Sequence, residues 1–290
     1  METIAIHNGK FHADDVFSVA ILKLIYPNLK IVRTRDPDKL SSADARIDVG
    51  GKYNHETKDY DHHQPEFKKT RKNKIPYASA GLIWEHYGPK LVDKEAWQII
   101  EEKIIQYIDA DDNGIKTHKA ETIEPYSLRE IIVSFNPEWP NRTEENYNKN
   151  FNEATDFAMA ILKKEIELAN TLVKVREIIK EKIAQTDKEY LILDENMPFQ
   201  EAVREESKKI KFVIKKDPVD DVWAAIGVKK YPNRYEVRKD FPKSWAGLTN
   251  SDLAKASNIK DAVFCHKKLF IFISQTKEGV IKAAELALKE

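Results

Sequence analysis

The sequence predicts an α/β protein with two domains, and three features of the chain support this. Short apolar, β-type segments alternate with helical patterns in the first part of the chain, as in α/β domains. A proline-free, helix-periodic stretch over residues 143–186 is long enough to connect domains, and strand-like segments return after it. We therefore predict an N-terminal parallel-sheet domain with flanking helices over residues 1–140, a long connecting helix within 141–186, and a smaller C-terminal α/β domain over 187–290.

The N-terminal elements favour a parallel sheet. Thr3-Ile4-Ala5-Ile6-His7 is a β-type run, and the helix that follows opens with Asp14-Asp15, acids that suit the positive end of the helix dipole. Residues 30–35 and 45–49 have the composition of a second and a third strand. Sites in parallel sheets gather beyond the carboxyl ends of the strands, where His7 and Asp48 both fall.

The rest of the chain is assigned by the same patterns. We predict helices over residues 78–86, 94–108, 127–135 and 250–256 and from Thr276 onward, and strands over 191–193, 212–214, 222–228, 235–238, 262–265 and 269–273, with a Pro232-Asn233 turn before the fourth strand. This order places all six candidate strands of the C-terminal domain after the long helix.

Bulk composition excludes several classes of protein. The formal net charge is zero, so any polyanion site must be local rather than spread over the whole surface. A single cysteine, Cys265, excludes an internal disulfide and a cysteine-rich zinc site, and we interpret it as a small buried strand residue. No stretch approaches the ~20 apolar residues of a membrane span, and the N-terminal residues have no signal-like pattern. We expect a cytoplasmic enzyme without a membrane partner.

Histidines and aspartates indicate a metal site in the first domain. Asp61-His62-His63 places two adjacent imidazoles behind a carboxylate, which is hard to explain as core packing. Six of the eight histidines precede residue 87. The candidate donors, enough for two ions, are His7, His12, Asp14, Asp48, His62 and one acid among Asp109 to Asp112. Nitrogen and oxygen donors without thiolate suit manganese or magnesium, with zinc, cobalt or iron also compatible.

These residues occur in an ordered set of motifs. His7 precedes Phe11-His12-Ala13-Asp14-Asp15, and Asp48-Val49-Gly50-Gly51, Asp61-His62-His63 and Asp109-Ala110-Asp111-Asp112-Asn113-Gly114 follow in order. The set resembles the motifs of the DHH phosphoesterase superfamily, and most closely those of its MYG-type exonuclease family. Asn136-Pro137-Glu138-Trp139 and Val263-Phe264-Cys265-His266 extend the resemblance over nearly the whole chain.

The resemblance implies two Mn²⁺ ions, with Mg²⁺ also possible, and a 3′–5′ exonuclease that acts on RNA or short oligonucleotides. By position, His7 and His12 would hold one ion, Asp14 and His62 the other, and Asp48 both, while Asp109 and Asp112 both remain candidates for the fourth motif. The catalytic candidates are His63, which would contact the scissile phosphate, Asp61, which would orient its neighbours, and Asp15.

The C-terminal domain would receive single-stranded RNA or an oligonucleotide, and a homodimer is left open. The substrate-binding candidates are Arg238, His266, and Lys68 and Arg71 from the basic run over residues 67–74. Ala246 stands where the family pattern has arginine, and Leu269-Phe270-Ile271-Phe272-Ile273-Ser274 replaces a glycine pair. Two alternatives follow from these departures: a phosphohydrolase of a small substrate such as pyrophosphate or a nucleotide, and a non-catalytic nucleotide or nucleic-acid binding protein.

Overall fold

The computed structural model describes residues 1–120, 122–232 and 235–290. The chain divides into two compact units, Met1–Asn170 and Thr171–Glu290. Each unit contains a five-stranded sheet, and a long helix accompanies them. This architecture confirms the predicted α/β class with two sheets.

The first unit is built on a mainly parallel sheet. Its strands are β1 (Thr3–Ile6), β2 (Lys30–Arg33), β3 (Ala45–Ile47), β4 (Tyr53–Asn54) and β5 (Asp59–Tyr60), in the order β2-β1-β3-β5-β4. β1 pairs in parallel with β2 and β3, and β3 pairs in parallel with β5. β4 is an antiparallel edge strand. Two-residue strands are too short to show a period in the sequence, so β4 and β5 were not predicted.

Helices alternate with and follow the strands of this unit. They are α1 (Ala13–Ile25), α2 (Pro37–Ser42), α3 (Ser79–Tyr87), α4 (Lys94–Ile100), α5 (Gln106–Asp112) and α6 (Leu128–Ser134). A π-helical turn, Glu101–Ile105, joins α4 to α5, so the predicted helix over residues 94–108 extends further. α1 is buried from Ala13 to Leu22, because it lies inside the unit rather than on its surface.

The long helix, α7 (Glu144–Ala184), belongs to both units. In the first unit, its Phe151 ring packs edge-on against Phe11, with 5.4 Å between the ring centroids. In the second unit, Val175 and Ile179 belong to an apolar cluster with residues of the second sheet, including Leu191. The apolar positions of α7 therefore enter two separate cores.

The second unit has a mixed sheet. Its elements are β6 (Tyr190–Leu193), α8 (Gln200–Glu206), β7 (Phe212–Lys216), β8 (Trp223–Gly227), α9 (Asn250–Ser257), β9 (Ala262–Cys265), β10 (Ile271–Ser274) and α10 (Lys277–Lys289), with the strand order β6-β7-β8-β10-β9. β6 and β7 are parallel, and the other neighbours are antiparallel.

One predicted strand is wrong. Residues 235–238 form no strand, and Val237 makes an isolated bridge with Lys229. The alternation that predicted a strand came from Tyr235 and Val237, but Tyr235 is 62% exposed while Val237 is buried, so the two residues do not line one face of a sheet. The predicted Pro232-Asn233 turn falls partly outside the described residues.

Two smaller expectations concern burial and membranes. Cys265 is fully buried in β9, as predicted. Within the described parts of the chain, no helix is both long and apolar enough to cross a membrane.

Candidate metal centre

The strand order of the first sheet sets the positions of three candidate residues. Ile6 pairs with Ile47, so the next residues, His7 and Asp48, leave neighbouring strands at the same edge of the sheet. Asp61 follows β5 directly, and the backbone amide of Asp48 donates to the carbonyl of Tyr60, with 3.1 Å between nitrogen and oxygen. The carboxyl ends of β1, β3 and β5 therefore bring these side chains together.

The start of α1 supplies a second group of side chains. His12 immediately precedes the helix, and Asp14 and Asp15 lie buried in its first turn. The His12 amide donates to Asp15 Oδ1 over 3.1 Å. Asp15 Oδ2 lies 2.6 Å from His7 Nε2, so the loop between β1 and α1 is closed by contacts between its two ends.

Asp48 lies at the centre of the cluster. Its Oδ2 is 3.3 Å from His7 Nε2, and its Oδ1 is 3.4 Å from His62 Nε2. The buried Ser79 hydroxyl donates to Asp48 Oδ1 over 2.9 Å. Asp48 has a φ of 52°, in the left-handed region that non-glycine residues rarely adopt. Such backbone strain persists where the surroundings fix it, and it is common in functional sites.

The two acids of the fourth motif have different environments. Asp112 Oδ2 lies 3.2 Å from His62 Nε2, and donor atoms of His12, Asp14 and Asp112 lie within 4.8 Å of one another. Asp109 faces elsewhere: its carboxylate accepts from the Gly81 amide and forms an ion pair with Arg71. The geometry thus brings Asp112, rather than Asp109, to the other candidate donors.

Asp14 has the least compensated charge of the cluster. Its side chain is buried, and among the described residues neither carboxylate oxygen has a hydrogen-bond partner. In the described part of the chain, the one basic side-chain atom within 4.0 Å of the carboxylate is His62 Nε2, 3.7 Å from Oδ2. Burial, together with the charges of Asp48 and Asp112, raises the pKa of Asp14 well above its usual value. A buried carboxylate without a donor is costly, and a bound cation would offset that cost.

The nearby carboxylates also raise the pKa of two histidines. Burial opposes protonation of His7, but hydrogen bonds to Asp15 and Asp48 outweigh it and raise its pKa to about 10. The pKa of His62 is raised to about 10 in the same way, by Asp112 and Asp48 against burial. Imidazole nitrogens and carboxylate oxygens are donors that divalent transition metals accept, so the residues fit the predicted ions.

Asp61 and His63 form a separate pair at the edge of the cluster. Asp61 Oδ1 lies 2.9 Å from His63 Nδ1, and Oδ2 accepts from the Gly51 amide over 2.7 Å. The His63 side chain is 64% exposed, whereas Asp61 is buried. The hydrogen bond to Asp61 raises the pKa of His63. His63 is therefore a fixed, accessible and readily protonated imidazole.

A cavity of about 730 Å³ opens onto these residues. It is lined by His7, Asn8, Gly9, Lys10, His12, Arg35, Leu40, Asp48, Val49, Gly50, Asp61 and His63. Sequence reasoning missed Lys10, Arg35 and also Ser79. The rule that sites lie beyond strand ends could have found Arg35, because it follows β2, but no local signal marked Ser79.

The two predicted substrate-binding residues of the first unit lie in different surroundings. Lys68 is exposed and lines a cavity of about 340 Å³ beside Gly51. Arg71 lies inside the first unit, with its guanidinium paired to Glu101 and Asp109.

The other two candidates lie in the second unit. The Arg238 guanidinium donates to the backbone carbonyls of Ser207, Ile210 and Arg204. His266 Nδ1 accepts from the Lys268 amide. Arg71 and Arg238 therefore hold structural contacts in this conformation.

Comparison with known proteins identifies the family. The sequence model of the MYG1 exonuclease family, described as uncharacterised protein family UPF0160, matches residues 3–288. MYG1 exonuclease of Mus musculus is 30% identical over 99% of this chain and 85% of its own length. A MYG1 protein of Chlamydia trachomatis is 32% identical, and MYG1 protein C694.04c of Schizosaccharomyces pombe is 31% identical, each over 97% of its own length. The chain belongs to the MYG1 exonuclease family.

Proposed function

We propose that this protein is a two-metal phosphodiesterase of the DHH type, a 3′–5′ exonuclease that cuts RNA or short oligonucleotides to nucleoside monophosphates. The observation that carries the proposal is the buried Asp14 carboxylate, whose oxygens have no hydrogen-bond partner among the described residues, inside a cluster of imidazoles and carboxylates. The name of the mouse relative, MYG1 exonuclease, supports the reaction class.

The proposed ligands of two Mn²⁺ ions share one cluster beyond the ends of β1 and β3. They are His7, His12, Asp14, Asp15, Asp48, His62 and Asp112. The donor types also accept Mg²⁺. Two bound ions would supply positive charge that stabilises a phosphodiester under attack by water. Asp48 has contacts to both His7 and His62, so it is the residue suited to serve both ions.

His63 has the properties of a group that contacts the phosphate. Its Nδ1 is held by Asp61, so a proton there is donated to the carboxylate and Nε2 is left for the substrate. The raised pKa favours the charged form, which attracts a phosphate oxygen and can donate a proton to it. Asp61, fixed in turn by the Gly51 amide, orients the ring.

A nuclease assay tests the function. Single-stranded RNA with a 3′-terminal label is expected to release labelled mononucleotide at once in Mn²⁺, whereas RNA with a 5′-terminal label is expected to shorten progressively. EDTA should stop both reactions. Release of mononucleotide first from the 5′ end would contradict the direction. Turnover of pyrophosphate or free nucleotides with inert RNA would favour the small-substrate alternative, and no turnover of any substrate would contradict both.

Asp112 and Asp111 provide a matched pair for the metal assignment. Asp112→Asn is expected to weaken Mn²⁺ binding about 10- to 100-fold, because it removes a charged donor beside His62 and Asp14. Asp111 is the preceding residue and belongs to none of the donor groups found in the described chain, so Asp111→Asn should bind Mn²⁺ as the wild type does. Calorimetric titration measures both. Equal losses in the two variants would contradict the assignment.

Asp61→Asn is expected to lower kcat about 10- to 100-fold with little change in Mn²⁺ affinity. The amide cannot replace the carboxylate that raises the pKa of His63, so the charged imidazole is less populated near neutral pH. The pH profile separates this effect from a structural one. Without the Asp61 carboxylate, the His63 imidazole should lose its proton at a lower pH. As the pH rises, the activity of the variant should therefore fall at a lower pH than that of the wild type. An unshifted profile would contradict the role.

A further inference from the structure

We infer that Arg35 and Lys10 form a binding site for a second phosphate of the substrate, adjacent to the phosphate that is cleaved. The inference rests on the proposed function and narrows it, because the second phosphate is that of the neighbouring nucleotide, which an oligonucleotide has and which pyrophosphate and a nucleoside monophosphate lack. Both residues line the cavity that also contains His7, Asp48 and His63. Neither residue belongs to the proposed metal ligands.

The strand order separates this site from the metal cluster. Arg35 follows β2, whereas Asp48 follows β3, and β1 lies between those strands. Neighbouring strands are ~4.8 Å apart, so the backbones that carry Arg35 and Asp48 are separated by roughly 10 Å. Arg35 crosses only part of this gap, because its Nη1 is held at the end of β1, where it donates to Asn8 O over 2.6 Å and to Asn8 Oδ1 over 2.8 Å. A phosphate held by Arg35 is therefore distinct from one held at Asp48.

The charge of Arg35 is available to a ligand. Arg46 and Arg71 each have a carboxylate partner, but within the described residues no carboxylate lies within 4.0 Å of the Arg35 guanidinium. Its Nη1 is held by oxygen atoms of Asn8, and the described residues offer no hydrogen-bond partner to Nε or Nη2. A guanidinium fixed in this way presents two parallel donors, the geometry that suits phosphate oxygens.

Lys10 indicates the path of the substrate away from the metal cluster. It lines the metal-site cavity and also a second cavity of about 340 Å³, which contains Arg142 and Tyr147. Lys10 is exposed, and the described part of the chain provides no carboxylate partner for it. An RNA strand that has one phosphate at the metal cluster and the next at Arg35 and Lys10 would continue into the second cavity. There the Tyr147 ring offers a surface on which a base can stack.

The loop that carries Lys10 is held by two arginines from the end of β2. Arg33 donates to the Gly9 carbonyl over 2.6 Å, next to the Arg35 contact with Asn8. Gly9 has a φ of 79°, which only glycine adopts without strain. The loop connects His7 to His12, so Arg35→Ala removes contacts that hold the proposed metal ligands in place. Lys10→Ala removes a charge that has no hydrogen-bond or ion-pair partner among the described residues. Both variants are therefore needed.

The test compares two ligands that resist hydrolysis. A phosphorothioate-linked trinucleotide has two neighbouring phosphate groups, and a phosphorothioate-linked dinucleotide has one. With Mn²⁺ present, Arg35→Ala and Lys10→Ala should each weaken trinucleotide binding about tenfold in calorimetry, as expected for lost charged hydrogen bonds, and dinucleotide binding less than about twofold. Lys39→Ala removes an exposed charge from α2 outside the cavity and should leave the ratio of the two affinities unchanged.

The outcomes separate this inference from the proposed function. Equal losses for both ligands, no loss with either variant, or wild-type protein that binds the two ligands equally or not at all would overturn the second-phosphate site. A loss with Arg35→Ala alone, accompanied by weaker Mn²⁺ binding, would also overturn it and assign Arg35 to support of the loop. If the trinucleotide preference depends on both residues while native RNA is not cut, the site stands and the exonuclease proposal fails.

Discussion

Asp48→Asn is expected to lower phosphodiester cleavage at least about a thousandfold and to abolish Mn²⁺ binding by one or both sites. Bound metal ions contribute several kcal/mol of transition-state stabilisation, and each 1.36 kcal/mol corresponds to a tenfold change in rate. Loss of the proposed shared ligand should therefore have a large effect. Asp48 is the candidate ligand that contacts both His7 and His62, so no neighbouring acid replaces it.

Asparagine is the appropriate replacement at this position. Asp48 has a φ of 52°, and asparagine tolerates the left-handed region better than alanine does. The Ser79 hydroxyl can still donate to the amide oxygen, so the fold should be retained. Burial opposes ionisation of Asp48, but the hydrogen bonds and charges of His62 and His7 outweigh it and lower the pKa of Asp48.

Three measurements check this prediction. Single-turnover cleavage of labelled RNA gives the rate, calorimetry gives the stoichiometry of Mn²⁺, and circular dichroism checks the fold. Asp38→Asn, at an exposed site in α2, is the control and should behave as the wild type. A well-folded Asp48→Asn variant that binds two Mn²⁺ ions and cuts RNA at a wild-type rate would remove Asp48 from the centre of the site.

Arg71→Ala is expected to destabilise the first unit by about 3–5 kcal/mol, the usual cost of leaving buried charges without a partner. The Arg71 side chain is only 8% exposed and pairs with Glu101 and with Asp109, which is fully buried. It also lies over the Tyr77 ring, 4.1 Å from the centroid. A side chain with these contacts cannot leave for a substrate without the same cost.

The loss should depend on pH. Burial, opposed by Arg71, raises the pKa of Asp109 to about 7, and removal of Arg71 would raise it further. In the unfolded chain the pKa of an aspartate is near 3.9. Between this pKa and the raised pKa, the folded variant binds more protons than the unfolded chain, so its stability increases as the pH falls. The difference in the free energy of unfolding between the variant and the wild type should therefore be larger at pH 8 than at pH 5.5.

Urea denaturation at the two pH values measures the free energy of unfolding, and hydrogen exchange in α5 shows whether the loss is local to the Asp109 helix. Lys68→Ala, at an exposed position of the same basic run, should change stability by less than about 0.5 kcal/mol. If Arg71→Ala has wild-type stability and instead weakens RNA binding, the sequence-based assignment of Arg71 to the substrate is the better one.

Part of the fold follows from local patterns in the sequence. The strand over residues 30–33 and the helix α7 can be predicted from their own residues. The spacing of apolar residues in a strand or a helix is visible within a few residues or a few turns. The bridge at Val237 shows the limit. One buried residue beside an exposed Tyr235 imitates an alternating strand, and only its neighbours in space determine whether a ladder forms.

The candidate site shows the same division. His7 and Asp48 could be placed together from the sequence, since each ends a parallel strand and such ends share one edge of a sheet. Asp109 and Asp112 could not be distinguished, because residues three apart in a helix lie on similar faces. Their partners in the structure distinguish them. Arg71, from a loop distant in the sequence, pairs with Asp109, whereas Asp112 faces His62.

The sequence by itself determined which chemical groups are available: the imidazoles and carboxylates of the ordered motifs, their order along the chain, and the strands that carry them. Only the tertiary structure decided how these groups divide between the site and the interior. It paired Arg71 with Asp109, left Asp14 without a hydrogen-bond donor among the described residues, and held Arg35 on Asn8. Local periodicity specifies the faces of helices and strands, whereas hydrogen bonds and ion pairs depend on distances between residues far apart in the chain.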